Sequence, residues 1–180
     1  MKVKRRDTNK TEDALDSVGV AGVISGGGIG GLALQDRYIY RKKAKEALNH
    51  IKEAGIEYPG MEKANKERIK SISKKDFAKL NQLEKEAKIL LAKREQAAPQ
   101  YLEFLNEYYP KGHVRGDELR RNVNLSINSS KTNIRQIEAA KRLKSARRTG
   151  RVALGVGAVG AGSLAMKAAL EHRRKNRAKE

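Results

Sequence analysis

Residues 17–34, SVGVAGVISGGGIGGLAL, contain no charged side chain and seven glycines in eighteen positions. At helical spacing Gly22, Gly26 and Gly30 recur every fourth residue and therefore share one face. Glycine disfavours a helix in water by about 1 kcal/mol relative to alanine. In lipid, however, a helix is the only open-chain structure that satisfies every backbone polar group. The stretch therefore predicts a helix shielded from water, either in lipid or packed closely against another backbone.

A second long uncharged run, residues 152–166 (VALGVGAVGAGSLAM), lies near the other end of the chain. Its small residues also fall on one helical line: Ala153, Gly157, Ala161 and Ala165. As helices the two runs would be about 27 and 22 Å long, against a hydrocarbon core of about 30 Å. The first is just long enough to cross a bilayer, and the second needs Lys167 to reach towards the headgroups.

Other structures with the same composition are a flexible glycine-rich linker and a buried hairpin of a soluble protein. A phosphate loop is a further candidate, because Gly26, Gly28 and Gly31 satisfy the pattern G-x-G-x-x-G. That fingerprint requires a strand before it, a helix after it and an acidic residue about twenty positions on, within a βαβ unit. No parallel-sheet pattern follows here, so we do not expect a nucleotide-binding loop.

The remainder of the chain is charged and has mainly helical periodicity. We therefore predict an all-α, elongated helical protein in which two glycine-rich apolar helices flank a charged helical middle. The predicted organisation is an N-terminal segment of mixed charge (1–16), a glycine-rich helix (17–35), a charged helical region with a heptad-like seam (36–110), a strongly basic loop and helix (111–151), a small-residue apolar helix (152–170) and a basic tail (171–180).

Local patterns set several expected boundaries within this organisation. Thr11 is expected to cap the first helix, and Ser73 with Asp76 to open a helix that Pro99 ends. A heptad seam is expected on that helix, at Leu80, Leu83, Ala87, Leu90 and Ala97. Apolar alternation in 122–130 indicates a brief strand, with a basic helix capped by Ser129 or Ser130 after it. The aromatic cluster in 101–109 is expected to be a core patch, with a partner-docking surface as the alternative.

Lys and Arg outnumber Asp and Glu by 40 to 21, which gives a net charge of +19. Such an excess predicts an anionic partner, either nucleic acid or an anionic lipid surface. The basic residues concentrate around the second uncharged run. The predicted contact residues are Lys141, Arg142, Lys144, Arg147, Arg148, Arg151, Arg173, Arg174 and Lys175. Basic residues flank both ends of both runs, so the positive-inside rule assigns no orientation.

Residues for catalysis are not evident in the sequence. There is no cysteine, and the three histidines are far apart, without a second ligand at helical spacing. No serine lies in a nucleophile elbow. We therefore expect a protein that is not an enzyme and that uses no cofactor, metal or small-molecule substrate.

The layout of small-residue apolar segments at both ends of a charged helical middle resembles that of the small ejection proteins of tailed bacteriophages. It is also similar to that of the basic membrane proteins of viruses with an internal lipid layer. The resemblance covers the whole chain without a diagnostic motif. It implies a ring-shaped homo-oligomer that contacts portal or core proteins, and it transfers no site residue.

We accordingly expect a structural protein of a viral particle, located in the virion or at a membrane. It would oligomerise through its small-residue helices, insert in or lie against a membrane, and contact nucleic acid or anionic lipid through its basic regions. The alternatives are a soluble protein that binds nucleic acid without sequence preference, a holin-like lysis pore and an adaptor held at a membrane surface by charge.

Overall fold

The computed structural model describes the backbone of residues 4–177, and side chains from Ala14 to Arg173 except that of Asp16. This part of the chain forms four helices and no strand. They are α1 (Lys4–Glu53), α2 (Met61–Ile72), α3 (Phe77–Tyr108) and α4 (Val114–Arg177). The predicted all-α class is confirmed.

The helix boundaries follow from glycine and capping residues. Gly55 and Gly60 take left-handed φ values of 70° and 84° in the connection between α1 and α2, where a residue with a Cβ would be strained. Asp76 is the N-cap of α3, because its carboxylate accepts a hydrogen bond from the Lys79 amide at 2.7 Å. Ser73, expected to share in this start, instead ends α2.

Three expected breaks are absent, since the helices continue through them. α1 begins at Lys4, so Thr11 is not its cap, and Ser129 and Ser130 lie inside α4 rather than before it. Residues 122–130 are helical as well, and the predicted strand was wrong. Only three apolar residues alternate there, Val123, Leu125 and Ile127. A longer stripe of apolar residues at three- and four-residue spacing continues through Ile134 and Ile137, and this helical periodicity determines the structure.

Pro99 also lies within a helix, although it was expected to end one. Proline removes one hydrogen bond and frees the carbonyl four residues earlier, here that of Glu95. Glu95 is exposed, so water can hydrate this carbonyl. Ala98 and Leu105 are buried on either side of the proline, and their packing stabilises the helix through the defect.

The chain forms two compact units. The hairpin unit combines Met1–Gln35 with Ser145–Glu180, and the bundle unit is Asp36–Lys144. Helices α1 and α4 contribute residues to both units, whereas α2 and α3 belong to the bundle unit alone.

The bundle unit has a small core of aliphatic residues around the first half of α4. One cluster contains Ile69 with Ala139 and Ala140, and partly buried Tyr40 and Ala44 pack against it. A second contains Ala87, Ile134 and Ile137. The alanines of α4 let neighbouring helices approach closely, and each fully buried Ile or Leu side chain contributes about 1.5–3 kcal/mol.

A buried amide pair links three helices inside this bundle. Gln136 donates to the Asn65 side-chain oxygen at 2.9 Å, and the Asn65 side chain donates to the Ala44 carbonyl at 3.0 Å. Both amides are 4% exposed. Because unpaired amides would be costly at this depth, the pair favours one alignment of α1, α2 and α4.

The apolar seam of α3 differs by one residue from the predicted heptad. Leu80 and Ala87 are buried as expected, but Leu90 and Ala97 are exposed, and the inward positions are Leu91 and Ala98. Arg94 lies within this seam. Its guanidinium donates to the Ser126 carbonyl at 2.8 Å and to the Ser130 hydroxyl at 2.6 Å, and so joins α3 to α4.

The aromatic cluster near the end of α3 is mostly exposed. Leu105 is buried, but Tyr101, Phe104 and Tyr108 are 45%, 48% and 62% exposed. The expected core patch was therefore wrong for these three rings. The alternative, a surface that docks a partner, stays a prediction.

Candidate membrane hairpin and its basic ends

The hairpin unit is an antiparallel contact between the two uncharged runs. Gly19 faces Leu164, Gly22 faces Gly160, Gly26 faces Gly157, and Ala33 faces Gly150. The predicted packing residues Gly22, Gly26, Ala153 and Gly157 all lie in this seam. The residue numbers of each facing pair add up to nearly the same value, as they must when two helices run in opposite directions with a constant register.

The seam is so close that only glycine fits at several positions. A Cβ added to Gly22 would lie 2.8 Å from the Gly160 Cα, and one added to Gly26 would lie 3.0 Å from the Gly157 Cα. A Cβ on Gly160 would lie 2.7 Å from the Val23 amide nitrogen. Because the opposing atoms belong to the backbone, no side-chain rotation would relieve these clashes.

Three of the predicted packing residues lie outside the seam. A Cβ on Gly30 would meet nothing within 4 Å, and Gly30 is not close to a Cβ added to any glycine of α4, whereas Gly157 lies 3.0 Å from one added to Gly26. Ala161 and Ala165 are exposed. The reason is geometric, because four residues exceed one helical turn by about 40°. A strict four-residue repeat therefore winds off the contact line, whereas alternating steps of three and four stay on it. That alternation identifies two residues that we did not predict, Gly19 and Gly160.

Apart from Leu164, which covers Gly19, most large apolar side chains of the hairpin point away from the seam. Ile24 is 69% exposed, Leu154 77% and Val159 63%. By length and composition both helices could cross a membrane, yet only 17% of the most apolar window of α1 and 6% of that of α4 is buried. A core helix of a soluble protein would be mostly buried, whereas these two windows are mostly exposed within the described chain.

Two hydroxyl groups of α4 in the hairpin unit are satisfied by the helix itself. The Ser163 hydroxyl donates to the Val159 carbonyl at 3.0 Å, and the Thr149 hydroxyl donates to the Ser145 carbonyl at 3.0 Å. Such bonds to the preceding turn leave these groups without need of water, which suits them to lipid.

The predicted anion-contact residues divide into two groups. Three have partners within the bundle unit: Lys141 pairs with Glu84 at 2.7 Å, Arg142 with Asp36 at 3.1 Å, and the Lys144 ammonium lies 5.5 Å from the centre of the Phe77 ring. Lys141 and Lys88 together lower the pKa of Glu84 by hydrogen bonding to its carboxylate. Lys141, Arg142 and Lys144 are therefore poorer candidates for binding an external anion than the sequence indicated.

The second group remains available to a partner. Arg147, Arg148 and Arg151 are exposed and form no ion pair with any described residue. Arg173, beyond the other end of the uncharged run of α4, is exposed as well. The side chains of Arg174 and Lys175 lie outside the described part of the structure. Exposed arginines thus flank the apolar surface of α4 on both sides.

Neither a metal centre nor a relative gives a further indication of function. Within the described residues, no three His, Asp or Glu side chains converge in a way that could hold a metal ion. Comparison of the chain with protein-family models, curated proteins and solved structures gives no match.

Proposed function

We propose that this is a non-enzymatic structural protein whose hairpin unit inserts in a membrane. In this proposal the flanking arginines bind lipid phosphates or nucleic acid. The observation that carries the proposal is the distribution of side chains in the hairpin unit, where glycine and alanine occupy most of the seam and most of the valine, leucine and isoleucine side chains face outward.

This distribution is the opposite of what water favours. Each Å² of apolar surface left in water costs about 25 cal/mol, so a soluble hairpin gains by turning its larger side chains inward. Lipid removes that driving force, because its chains are as apolar as leucine. Helix association then depends on close backbone packing, which small residues permit. The hairpin has the arrangement expected of helices that associate in lipid.

The lengths of the uncharged runs also suit a bilayer. Residues 17–35 would span about 28 Å as a helix, close to the hydrocarbon thickness of about 30 Å. Arg147, Arg148 and Arg151 come directly before the uncharged run of α4, where phosphate groups would lie in an embedded hairpin. Each such residue near an anionic surface contributes about 1 kcal/mol to binding.

Self-association forms a second part of the proposal. The outer surface of α4 carries a line of exposed small residues at spacings of three and four: Gly155, Ala158, Gly162, Ala165 and Ala169. A neighbouring hairpin could approach this line closely. The resemblance in layout to phage ejection proteins extends the proposal to a viral particle that carries the protein to a host envelope. Membrane insertion does not depend on that extension.

A charge placed in the outward surface tests insertion. We expect the double variant Ile24→Lys/Val159→Lys to lose stable association with vesicles, since both positions lie near the middle of their runs. Lysine at mid-bilayer costs about 2.5–3.5 kcal/mol by insertion scales. The measurement is flotation with vesicles of phosphatidylcholine and phosphatidylglycerol, followed by a carbonate wash. The matched control is Ile89→Lys, because Ile89 is 47% exposed but lies in the bundle unit.

The outcomes separate an embedded protein from an adsorbed one. Wild-type protein and the Ile89 variant should float after the wash, whereas the double variant should not. Release of wild-type protein by salt or carbonate alone would show that it is only adsorbed. Equal retention of the double variant would show that these side chains do not face lipid. Either result would contradict insertion.

The second candidate function is binding of nucleic acid by a soluble protein. It is favoured by the exposed Arg147, Arg148 and Arg151, which form no ion pair within the described part of the chain. Replacing these three by glutamine should then weaken binding to duplex DNA and reduce the slope of log K against log salt by about 0.9 for each lost phosphate contact. Arg142→Gln is the control, because Arg142 is already paired with Asp36. Unchanged DNA binding in the triple variant would exclude this surface.

A further inference from the structure

The exposed end of α3 combines aromatic and acidic side chains. We call Tyr101, Glu103, Phe104, Glu107 and Tyr108 the acidic aromatic face. The rings form a ladder, with centroids 6.4 Å apart for Tyr101 and Phe104 and 4.5 Å apart for Phe104 and Tyr108. Each ring is about half exposed. Three adjacent rings in contact with water are a feature of interaction surfaces rather than of ordinary helix exteriors.

The apolar surface continues beyond the rings into a groove. Tyr101 also lines an open cavity of about 320 Å³ in the bundle unit, whose other apolar walls include Ala97, Leu119, Val123 and Ile127. Aromatic anchors bordered by an apolar groove are typical of sites where binding energy concentrates.

The charge of this region is opposite to that of the whole chain. Residues 95–110 contain three glutamates and neither lysine nor arginine, in a protein of net charge +19. Glu103 and Glu107 form no ion pair with any described residue. They lie four residues apart on α3, a spacing at which like charges on a helix repel. An occupant that brings cations to these two carboxylates would relieve that repulsion.

A matching cationic surface lies on α1 of the same unit. Residues 37–45 contain five basic residues and no acidic one. Arg41, Lys42 and Lys45 are exposed and form no ion pair with any described residue, and we call them the basic stripe. Arg41 and Lys45 are four residues apart, the same spacing as that of Glu103 and Glu107. On each helix this spacing corresponds to about 6 Å along the axis.

We propose that the acidic aromatic face binds the basic stripe of a second copy of this chain. The two cations would meet Glu103 and Glu107, their aliphatic stems would cover the rings, and ring faces within about 6 Å would attract the charged heads. The contact joins two different surfaces, so it is heterologous and builds a ring or an open filament. The inference rests on the self-association in the proposed function and gives it an interface outside the hairpin.

The test uses two charge-reversed full-length variants in detergent solution. The face-reversed variant is Glu103→Lys/Glu107→Lys, and the stripe-reversed variant is Arg41→Glu/Lys45→Glu. Each retains one intact surface, and all four side chains are exposed, so both variants should fold. We expect each variant alone to form smaller assemblies than the wild-type protein. We expect an equimolar mixture to regain association, because the intact surfaces of the two variants, and likewise their reversed surfaces, are complementary in charge. Analytical ultracentrifugation measures all three states.

Several outcomes would overturn this interface. They are a wild-type protein that stays monomeric, variants that keep the wild-type stoichiometry, and a mixture that associates no further than its two components. Phe104→Ala should also weaken association at least tenfold, whereas Leu90→Ala, at an exposed position elsewhere on α3, should not. Vesicle flotation of the same variants keeps the two proposals separate. Loss of association with flotation intact supports the interface, and loss of wild-type flotation would contradict membrane insertion alone.

Discussion

The hairpin unit and the bundle unit bury opposite kinds of side chain. In the hairpin unit glycines meet backbone to backbone while Ile24 and Leu154 are exposed. In the bundle unit Ile69 and Leu80 are fully buried, and the exposed surface is rich in lysine and glutamate. Because α1 and α4 contribute residues to both units, this difference in buried side chains is not a difference between separate helices. The same two helices therefore pack through aliphatic side chains in one unit and through glycine backbones in the other, a contrast that the proposed membrane insertion of the hairpin unit would explain.

Along the sequence, the change in which kind of side chain is buried is abrupt. On α1 the uncharged run ends at Gln35, and the next residue, Asp36, already pairs with Arg142 in the bundle unit. On α4 the fully buried alanines Ala139 and Ala140 belong to an aliphatic core, whereas Gly157 and Gly160 face Gly26 and Gly22. The boundary between the units is therefore a boundary in side-chain size as well as in charge.

Truncation of an isoleucine should have the largest effect, and only in the bundle unit. Ile69→Ala removes a fully buried side chain and should lower the free energy of unfolding by about 2–5 kcal/mol. Ile24→Ala removes a side chain that is 69% exposed and should leave the bundle unchanged. Urea unfolding followed by tyrosine fluorescence suits this test, because all six tyrosines lie in the bundle unit.

Equal effects of the two truncations would remove the contrast between the units. If Ile24→Ala were as destabilising as Ile69→Ala, its side chain would have to be buried in solution, and the hairpin would follow the same packing rule as the bundle.

Replacing a seam glycine by a larger residue should have the opposite pattern and destabilise only the hairpin unit. Gly22→Leu places a side chain against the Gly160 backbone and should cost about 1–3 kcal/mol, whereas Gly27→Leu extends into open space. The reporter is the pair Ala33→Cys/Gly150→Cys. A Cβ on Gly150 lies 3.9 Å from the Ala33 Cβ, within the usual range for a disulfide, and the chain has no other cysteine.

Oxidation of the cysteine pair in vesicles then measures hairpin closure. We expect rapid cross-linking in the parent and in the Gly27 variant, and slow or absent cross-linking in the Gly22 variant. Similar rates in both glycine variants would indicate that the seam does not hold the two helices together.

The sequence was most informative where one physical effect dominates. An uncharged, glycine-rich run can form few stable structures. The sequence therefore indicated a closely packed helix and identified Gly22 and Gly26 on its packing face. The sequence was less informative where two effects compete. Pro99 disfavours a helix by its own chemistry, but the packing of Ala98 and Leu105 around it prevails, and that packing depends on residues of α4 that are distant along the chain.

Pairing of charges was the other feature that composition did not reveal. Lys141 and Arg147 are both basic residues of α4, yet only Lys141 lies opposite a carboxylate, that of Glu84 on α3. No local pattern gives the relative rotation of two helices. The seam of α3 shows the same limit, since an error of one residue exchanged exposed Leu90 for half-buried Leu91. Counting charges therefore predicted an anionic partner, but it did not distinguish the basic residues that pair inside the bundle unit from those that pair with no described residue.

The smallest expected effect concerns charge in the bundle unit, where stability should depend on pH through Glu84. Hydrogen bonds from Lys141 and Lys88 lower the pKa of Glu84 from its ordinary value near 4.5. Its stabilising contribution is thus complete above that value and is lost as the pH falls through the lower pKa of the folded state. Since Lys88 is exposed, we expect less than about 1 kcal/mol.

Comparison of two glutamine variants isolates this contribution. Glu84→Gln should flatten the decline of the free energy of unfolding below about pH 4.5, measured by urea unfolding at a series of pH values. Glu67→Gln should leave that decline unchanged, because Glu67 is exposed and pairs with no described residue. The hairpin cross-linking reporter, whose seam contains no ionisable group, should keep its yield throughout when the thiols are oxidised at one fixed pH after each acid incubation. A decline that persists in Glu84→Gln would place the acid sensitivity at another carboxylate.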